Sequence, residues 1–360
     1  MPAPTYWDYL KLDSLLDLQG GLPGAPPSPD ELHFIIVHQA YELWFRLVLS
    51  QLRLARDHLA APTVPEEHVP FVVHHLGRVN EILKLCVEQF RVMETLPPQD
   101  FLDFRDKLSP SSGFQSFQLR EMEILLGLED SQRVQLGSHD ALAHIRALAE
   151  GSPGGAMAWG RIVQARSETT LRGALLAWLA RTPIHGSVPG APDDDDAVDA
   201  FLTDYLRQVE AHQRAVAAGL ATVLGPGEAG RIEARVAEGV AGTRAFLLHE
   251  DPVQRRARAG LLFIESYRQL PLLAWPRLLL DTVVELEEQL LLFRNRHARM
   301  VERTIGRRVG TGGSSGVEYL DKTTTYRVFP ELWAVRTALL PREYLPPLQN
   351  AERYGFAPHE

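Results

Sequence analysis

Near the end of this chain, a histidine lies on the apolar face of a predicted helix, and a glycine-rich turn follows it. The face repeats at three- and four-residue steps, and its members are Leu286, Leu290, Phe293, His297, Val301 and Thr304. His297 therefore points inward, where an imidazole needs a partner. The turn GTGGSSG begins with Gly310 and Thr311. The nearby arginines fall elsewhere on the helix and are expected to reach water: Arg294, Arg296, Arg299 and Arg303.

Each of these features fits two kinds of site. A buried histidine either hydrogen-bonds within the core or ligates iron or zinc. The turn is not a phosphate-binding loop, because no Gly-Lys-Ser/Thr follows, and it does not open a helix after a strand as a dinucleotide fingerprint does. It is either a tight turn that needs positive φ, or a nest of backbone N–H groups that lines a polar substrate together with the Thr311 hydroxyl.

A second histidine-bearing face is predicted earlier in the chain. Its members are Phe34, His38, Tyr41, Phe45, Val48 and Leu52. A core histidine among aromatic side chains is one interpretation of this face. Further on, Arg105 shares a predicted helix face with Phe101 and Leu108. A guanidinium there needs a carboxylate, and an internal salt bridge is the ordinary explanation.

Helices must position these residues, and the pattern predicts helices nearly throughout. Ser28-Pro29-Asp30-Glu31 combines capping-box spacing with proline at the first helical position, so a helix is predicted from there to about Leu59. Its first half is apolar almost all round, which is typical of a helix in the centre of a domain. A second long helix is predicted over 69–94, and a short one capped by Asp100 is predicted to stop near Ser109.

The rest of the chain predicts more helices joined by loops. Loops are predicted at 150–156 and 183–199, where adjacent aspartates, residues 193–196, are interpreted as a solvated linker because they lack calcium-loop spacing. A helical pair is predicted over 200–248, and helices resume near Pro252 and over 275–305. We predict an all-α fold, with a single domain over 1–360, an N-terminal arm at 1–27, a helical insertion at about 123–249 and a pocket between long helices.

Composition narrows the classes of function. The 360 residues are 45% hydrophobic and 23% charged, with a net charge of −9, so a nucleic acid or an anionic membrane is not an expected partner. Cys86 is the only cysteine, is interpreted as a core residue, and cannot form an intramolecular disulfide. Because no signal peptide and no long apolar stretch are found, we predict a cytoplasmic protein.

Four segments of the chain resemble, in order, motifs of the haem-dependent tryptophan 2,3-dioxygenases. The resemblance runs from about residue 5 to about residue 348 and is thin between Glu123 and Arg255. It implies haem b, with its iron, in a pocket between helices, and dioxygen as co-substrate. The segments are TYWDYLKLDSLL (Thr5 to Leu16), FIIVHQAYELWF (Phe34 to Phe45), FLDFRDKLSPSSGFQSFQLRE (Phe101 to Glu121) and the closing stretch from Phe293 to Leu320.

The resemblance also implies roles for individual residues. His297 matches the axial haem ligand, which leaves the sixth iron position open for dioxygen. His38 matches the distal-pocket histidine, our catalytic candidate, and Phe34 matches an aromatic wall beside the indole. Arg105 matches the residue that grips the substrate carboxylate, for which a planar fork is suited. Other matched positions bind substrate, with two tyrosines reaching from a neighbouring subunit: Phe101, Leu108, Ser112, Gly310, Thr311 (near the ammonium group), and the tyrosines Tyr6 and Tyr9.

The implied reaction is cleavage of the indole C2–C3 bond of L-tryptophan to N-formyl-L-kynurenine, by a homo-oligomer that is usually a tetramer. Some positions depart from the family pattern: Phe293 replaces tryptophan, Glu302 replaces histidine, and Val317 and Glu318 replace tyrosine and histidine. Two alternatives stay open. One is a divergent haem oxygenase acting on a modified tryptophan in a biosynthetic pathway. The other is a non-enzymatic haem carrier or sensor.

Overall fold

The computed structural model describes residues 3–21, 24, 26–65, 67–109, 111–134, 141–225, 227–308 and 316–355. Within these ranges the chain is helical, and its only paired extended backbone is an isolated bridge between Ile184 and Ser187. The predicted all-α fold is confirmed. The helices are α1 (Tyr6–Leu10), α2 (Leu12–Leu15), α3 (Pro29–Ala60), α4 (His68–Met93), α5 (Pro98–Arg105), α6 (Phe117–Leu126), α7 (Ala141–Ala149), α8 (Pro153–Ser167), α9 (Leu171–Leu179), α10 (Asp194–Leu224), α11 (Ala229–Leu247), α12 (Pro252–Ser266), α13 (Ala274–Ile305), α14 (Gly316–Thr323) and α15 (Pro330–Ala338).

The chain forms two compact units. The first unit comprises Met1–Gln51, Arg78–Glu168 and Glu288–Tyr326, and the second comprises Leu52–Gly77, Thr169–Glu287 and Arg327–Glu360. In the second unit, α9, α11 and α15 pack around α12, and α10 pairs with α11. A single domain with an arm at 1–27 and a helical insertion at about 123–249 stays a prediction. None of the helices in the described ranges is long and apolar enough to cross a membrane.

The helix α3 begins where the sequence predicts. Ser28 Oγ accepts a hydrogen bond from the Glu31 N–H at 3.2 Å, and Pro29 takes the first helical position. The prediction that this helix lies in the centre of a domain is wrong for part of its first half, because apolar residues there remain exposed. Ile36 and Leu43 are 48% and 54% exposed.

An aromatic cluster joins α3, α4 and α13 within the first unit. The rings of Tyr41, Phe90 and Phe293 lie with centroids 5.2–6.0 Å apart. The Tyr41 hydroxyl donates to the carbonyl oxygen of Cys86 at 3.0 Å, so this buried phenol is not left unpaired. Cys86 is fully buried, and burial raises the pKa of its thiol to about 12, as expected of a core residue. The cluster fixes the position of α13 one turn before His297.

Proline and serine move two helix starts away from their predicted places. Asp100 does not cap α5, because Pro97 and Pro98 begin the helix earlier and leave Asp100 in its first turn. The helix ends at Arg105, and Leu108 lies in a following 3₁₀ turn. The predicted loop at 150–156 is mostly helical, because Ser152 Oγ caps α8 by accepting from the Gly155 N–H at 3.0 Å.

The predicted loop at 183–199 also ends early, and one of its aspartates is not solvated. The helix α10 begins at Asp194, which is 6% exposed. Its carboxylate receives two hydrogen bonds from Arg256 of α12, at 3.0 and 3.2 Å. The linker interpretation is therefore wrong for Asp194, because a bidentate partner elsewhere in the second unit compensates its burial. Asp193, Asp195 and Asp196 are exposed, as predicted.

Candidate active site

One cavity in the first unit is lined by α3, α5, α6, α13, α14 and the turn that follows residue 111. Leu108, Tyr6 and Tyr9 do not line it, and the two tyrosines lie on α1 with 71% and 77% of their surface exposed. Gly310 and Thr311 lie outside the described residues. The sequence-predicted site residues that the cavity brings together are Phe34, His38, Phe101, Arg105, Ser112 and His297.

His297 presents a neutral imidazole to this cavity. It lies on α13 one turn after Phe293, and its ring stacks on Phe90 with a centroid distance of 5.6 Å. Burial, reinforced by nearby His38 and the positive charges of Arg120 and Arg294, lowers the pKa of His297 to about 4. No described residue hydrogen-bonds either of its ring nitrogens. The imidazole is therefore neutral at pH 7, and one of its two ring nitrogens keeps a lone pair.

His38 presents a second imidazole to the same space from α3. The accessible part of its surface faces the open space of the cavity. Protein atoms surround the rest of the ring. His38 Nδ1 lies 2.7 Å from the carbonyl oxygen of Phe34. A carbonyl oxygen only accepts, so Nδ1 carries the proton and Nε2 keeps its lone pair. Burial lowers the pKa of His38, and the hydrogen bond to Phe34 offsets this only in part.

Phenylalanines form one wall of the cavity. The Phe34 ring lies 4.0 Å from the ring of His38 and 5.7 Å from the rings of both Phe101 and Phe104, measured between centroids. Phe101 and Phe104 are buried in α5 and meet edge to face. Such rings offer a flat aromatic ligand stacking and edge contacts without a competing hydrogen-bond donor.

Arg105 and Ser112 add polar groups to this wall. Arg105 is half-buried at the C-terminal end of α5 and lines the cavity. It directly follows Phe104 in the sequence. Ser112 Oγ accepts from the Phe114 N–H at 3.4 Å and begins a 3₁₀ turn. Arg105 ends α5, and Ser112 lies in the segment that joins α5 to α6. Both residues line the cavity. They can receive the polar end of a ligand whose flat end contacts Phe34.

The helix α6 is held against α3 by a polar patch. Gln118 Nε2 donates to the backbone carbonyl and to a carboxylate oxygen of Glu42, at 2.7 and 2.8 Å. Ser116 Oγ donates to the other carboxylate oxygen of Glu42 at 2.7 Å. These bonds fix the position of the charged residues that α6 carries behind the cavity.

A buried carboxylate on α6 gathers three arginines beside the cavity. Glu123 is 2% exposed and accepts from Arg120 at 3.0 Å, from Arg133 at 2.7 Å and from Arg294 at 2.8 Å. Burial by itself would raise the pKa of the Glu123 carboxyl, but the arginines outweigh it and hold that pKa at about 2. We call Glu123, Arg120, Arg133 and Arg294 the Glu123 cluster. It holds three positive charges and one negative charge, so its net charge is positive.

Two members of the Glu123 cluster also line the cavity. Arg120 and Arg294 do so, and the Arg120 guanidinium lies 3.5 Å from the hydroxyl of Tyr319, another lining residue. The Nε atom of Arg120 is buried and has no hydrogen-bond partner among the described residues. Arg294 also stacks on the ring of Tyr326, with its guanidinium carbon 4.6 Å from the centroid. Arg120 and Arg294 thus bring positive charge to the cavity wall.

The expectation that Arg294 reaches water is therefore wrong. A residue three positions before His297 lies only about 60° around the helix from it, so Arg294 is a neighbour of that face rather than its opposite. Sequence analysis also missed Arg120 and Glu123. The signal present was their three-residue spacing, but that spacing is typical of exposed ion pairs and does not predict burial.

The positions that depart from the family pattern have ordinary structural environments here. Phe293 is 5% exposed in the aromatic cluster, and Val317 is 4% exposed on α14. Glu302 pairs with Arg299 on the surface of α13, and Glu318 pairs with Lys322.

Comparison with known proteins identifies the family of this chain. A tryptophan 2,3-dioxygenase family model matches residues 2–218 and 233–339. Tryptophan 2,3-dioxygenase 2 of Ralstonia nicotianae is 46% identical over 99% of both chains. Tryptophan 2,3-dioxygenase of Sorangium cellulosum is 45% identical over 98% of this chain and 87% of its own. A tryptophan 2,3-dioxygenase-like protein of Xanthomonas campestris is 46% identical over 72% of this chain and 97% of its own. The chain therefore belongs to the tryptophan 2,3-dioxygenase family.

Proposed function

We propose that this protein is a haem-dependent dioxygenase that cleaves the indole C2–C3 bond of L-tryptophan to give N-formyl-L-kynurenine. The proposal is carried by the meeting of His297, His38 and Arg105 at one cavity of a chain that belongs to this family. Relatives that carry the activity's name align over nearly the whole chain. A cytoplasmic location, predicted from the sequence, is part of the proposal.

The side chains around the cavity fit haem b. His297 offers a neutral imidazole without a described hydrogen-bond partner, and it would hold the iron. Arg120 and Arg294 add positive charge to the cavity wall, which suits the two propionates of the group. Phe293 and Met300 supply apolar contact. When bound, haem supplies the activation of dioxygen that no amino-acid side chain provides.

The protein's own contribution is to bind and orient tryptophan. Phe34 and Phe101 contact the flat indole, and the lone pair on His38 Nε2 accepts the indole N–H. Arg105 pairs with the carboxylate through its planar fork. The surrounding apolar wall excludes water. Together, these contacts hold the C2–C3 bond in one orientation for attack.

An absorption spectrum with and without L-tryptophan, followed by product analysis, tests the proposal. We expect a histidine-ligated haem, a spectral change on adding tryptophan, and N-formylkynurenine on turnover. His297→Ala should give folded, haem-poor protein, whereas His249→Ala, outside the cavity, should keep its haem. A normal histidine-ligated spectrum in His297→Ala would contradict the assignment of the ligand. Bound haem without turnover of tryptophan or its ring-substituted forms would support the carrier or sensor instead.

We also propose that the protein is a homo-oligomer, a tetramer by resemblance, with Tyr6 and Tyr9 at a neighbouring subunit's site. The support is that both tyrosines are exposed, and that α3 exposes an apolar face that includes Ile36 and Leu43. Sedimentation tests the assembly. Leu43→Asp should weaken it, whereas Val163→Asp, at a residue of similar exposure on α8, should not. A wild-type monomer at micromolar concentration would contradict the proposal.

A further inference from the structure

The Glu123 cluster holds a buried carboxylate, which substrate binding, axial ligation and the proposed propionate contacts of Arg120 and Arg294 leave unexplained. It contains three buried arginines and one buried carboxylate. Among the residues that the structure describes, its only other ion-pair partner is Asp130, which is 66% exposed and contacts Arg133. Buried charges are ordinarily matched, because unmatched charge in a low dielectric is costly. Here positive charge is left in excess beside a cavity whose histidine would bind a redox-active iron.

Within the described part of the chain, Glu123 is the one residue that hydrogen-bonds all three arginines. It receives Arg294 from α13, and Arg294 precedes His297 by a single helical turn. It also receives Arg120 from its own helix and Arg133 from the segment that follows. Its carboxylate therefore fixes where the positive charges stand and cancels one of them.

We propose that Glu123 is a positioning residue that sets the ferric–ferrous equilibrium of the haem iron through the arginines that it holds. The inference rests on the proposed haem dioxygenase function. Reduction adds one electron to the ferric group, so positive charge nearby favours the ferrous form and negative charge favours the ferric form. Glu123 lowers the net charge at the cavity wall, and loss of its charge shifts the equilibrium toward ferrous iron.

From the charges of the cluster we predict the direction in which each substitution shifts the ferrous-to-ferric ratio. A merely structural role predicts no such direction. Glu123→Gln removes a negative charge with little change of shape, and should shift the ferrous-to-ferric ratio at a fixed electrode potential about tenfold toward ferrous, equivalent to about 59 mV for one electron. Arg133→Gln removes a positive charge from a residue that does not line the cavity, and should shift the ratio toward ferric. Combining both changes restores the net charge and should return the ratio to within about threefold of wild type.

Spectroelectrochemical titration of the haem-loaded protein without dioxygen measures these ratios. Glu121→Gln is the matched control, because Glu121 is equally buried on α6 but pairs with Arg161 and does not line the cavity. We expect less than a threefold shift in that control. If Glu123→Gln loses its haem, the sign of the Arg133→Gln shift still decides the outcome.

Opposite shifts in the two single variants, cancelled in the double variant, support the proposal. Shifts in the same direction, or no shift in haem-loaded variants, overturn it while leaving the dioxygenase proposal intact. A wild-type protein that binds no haem would overturn both, and the absorption spectrum of wild type separates that outcome from the others.

Discussion

Replacing the buried carboxylate of Glu123 should weaken the folded protein by an amount that depends on pH in a defined way. The carboxyl has a folded pKa of about 2 against an ordinary value of 4.5, because three arginines stabilise its ionised form. A depressed carboxyl pKa contributes stability above the unfolded value, and that stability is lost as the pH falls toward the folded value. Glutamine resembles the protonated acid, so Glu123→Gln isolates this contribution.

The size of the effect follows from the shift. A difference of about 2.5 pKa units at about 1.4 kcal/mol each corresponds to about 3 to 4 kcal/mol of unfolding free energy at pH 7, within the range for breaking a buried ion pair. The same relation leaves roughly half of this free energy at pH 3. The difference between wild type and variant should thus be constant above about pH 5 and should fall by half on acidification.

Urea unfolding of the haem-free protein at several pH values measures this difference. Asp130→Asn is the control, because Asp130 contacts Arg133 from an exposed position and should change stability by less than about 1 kcal/mol. A difference for Glu123→Gln below about 1 kcal/mol at pH 7, or one that does not change between pH 7 and pH 3, would refute the reasoning. A loss of about 3 to 4 kcal/mol also leaves room for the variant to fold.

Three further substitutions test other parts of the account. Arg105→Lys keeps the charge but loses the fork, so L-tryptophan binding should weaken by about 1–3 kcal/mol in a spectral titration, whereas binding of tryptamine, which lacks the carboxylate, should not change; equal binding of both ligands to wild type would argue against the role. Gly155→Ala places a methyl group 2.2 Å from the Leu148 carbonyl oxygen and should lower stability by about 1–3 kcal/mol, whereas Gly154→Ala meets no atom within 4 Å and should be neutral or slightly stabilising; equal thermal shifts would contradict the clash. Asp194→Asn should cost about 3 kcal/mol in urea unfolding by breaking the pair with Arg256, and Asp195→Asn, on the exposed side, should cost almost nothing; a silent Asp194→Asn would show that the buried pair contributes no net stability.

Much of the fold could be predicted because its signals are local. The start of α3 follows from Ser28 and Pro29, the end of α4 precedes Pro97, and the long course of α13 follows from its repeating apolar face. The inward direction of His297 follows from the same face. These features depend on neighbours along the helix, which the sequence displays directly.

The features that sequence analysis missed depend on partners far away in the chain. Asp194 is buried because Arg256, 62 residues later, reaches it. Arg294 is buried because Glu123, 171 residues earlier, receives it. A helical wheel places both side chains on or beside an apolar face. It contains no information about the compensating charge from another element that makes their burial possible. On α3 the opposite occurs, because apolar residues such as Ile36 and Leu43 are exposed. The apolar composition of a helix does not show how much of its surface the rest of the chain will bury.

The fate of dioxygen in the turnover of L-tryptophan distinguishes the proposed dioxygenase from other haem oxygenases. With isotopically labelled dioxygen, we expect N-formylkynurenine that carries both labelled atoms, because the proposed contacts of Phe34, His38 and Arg105 would hold tryptophan with its C2–C3 bond open to attack. Mass spectrometry of the product distinguishes two labelled atoms from one. A product with an unbroken ring and a single labelled atom would contradict the account and favour an oxygenase of a biosynthetic pathway.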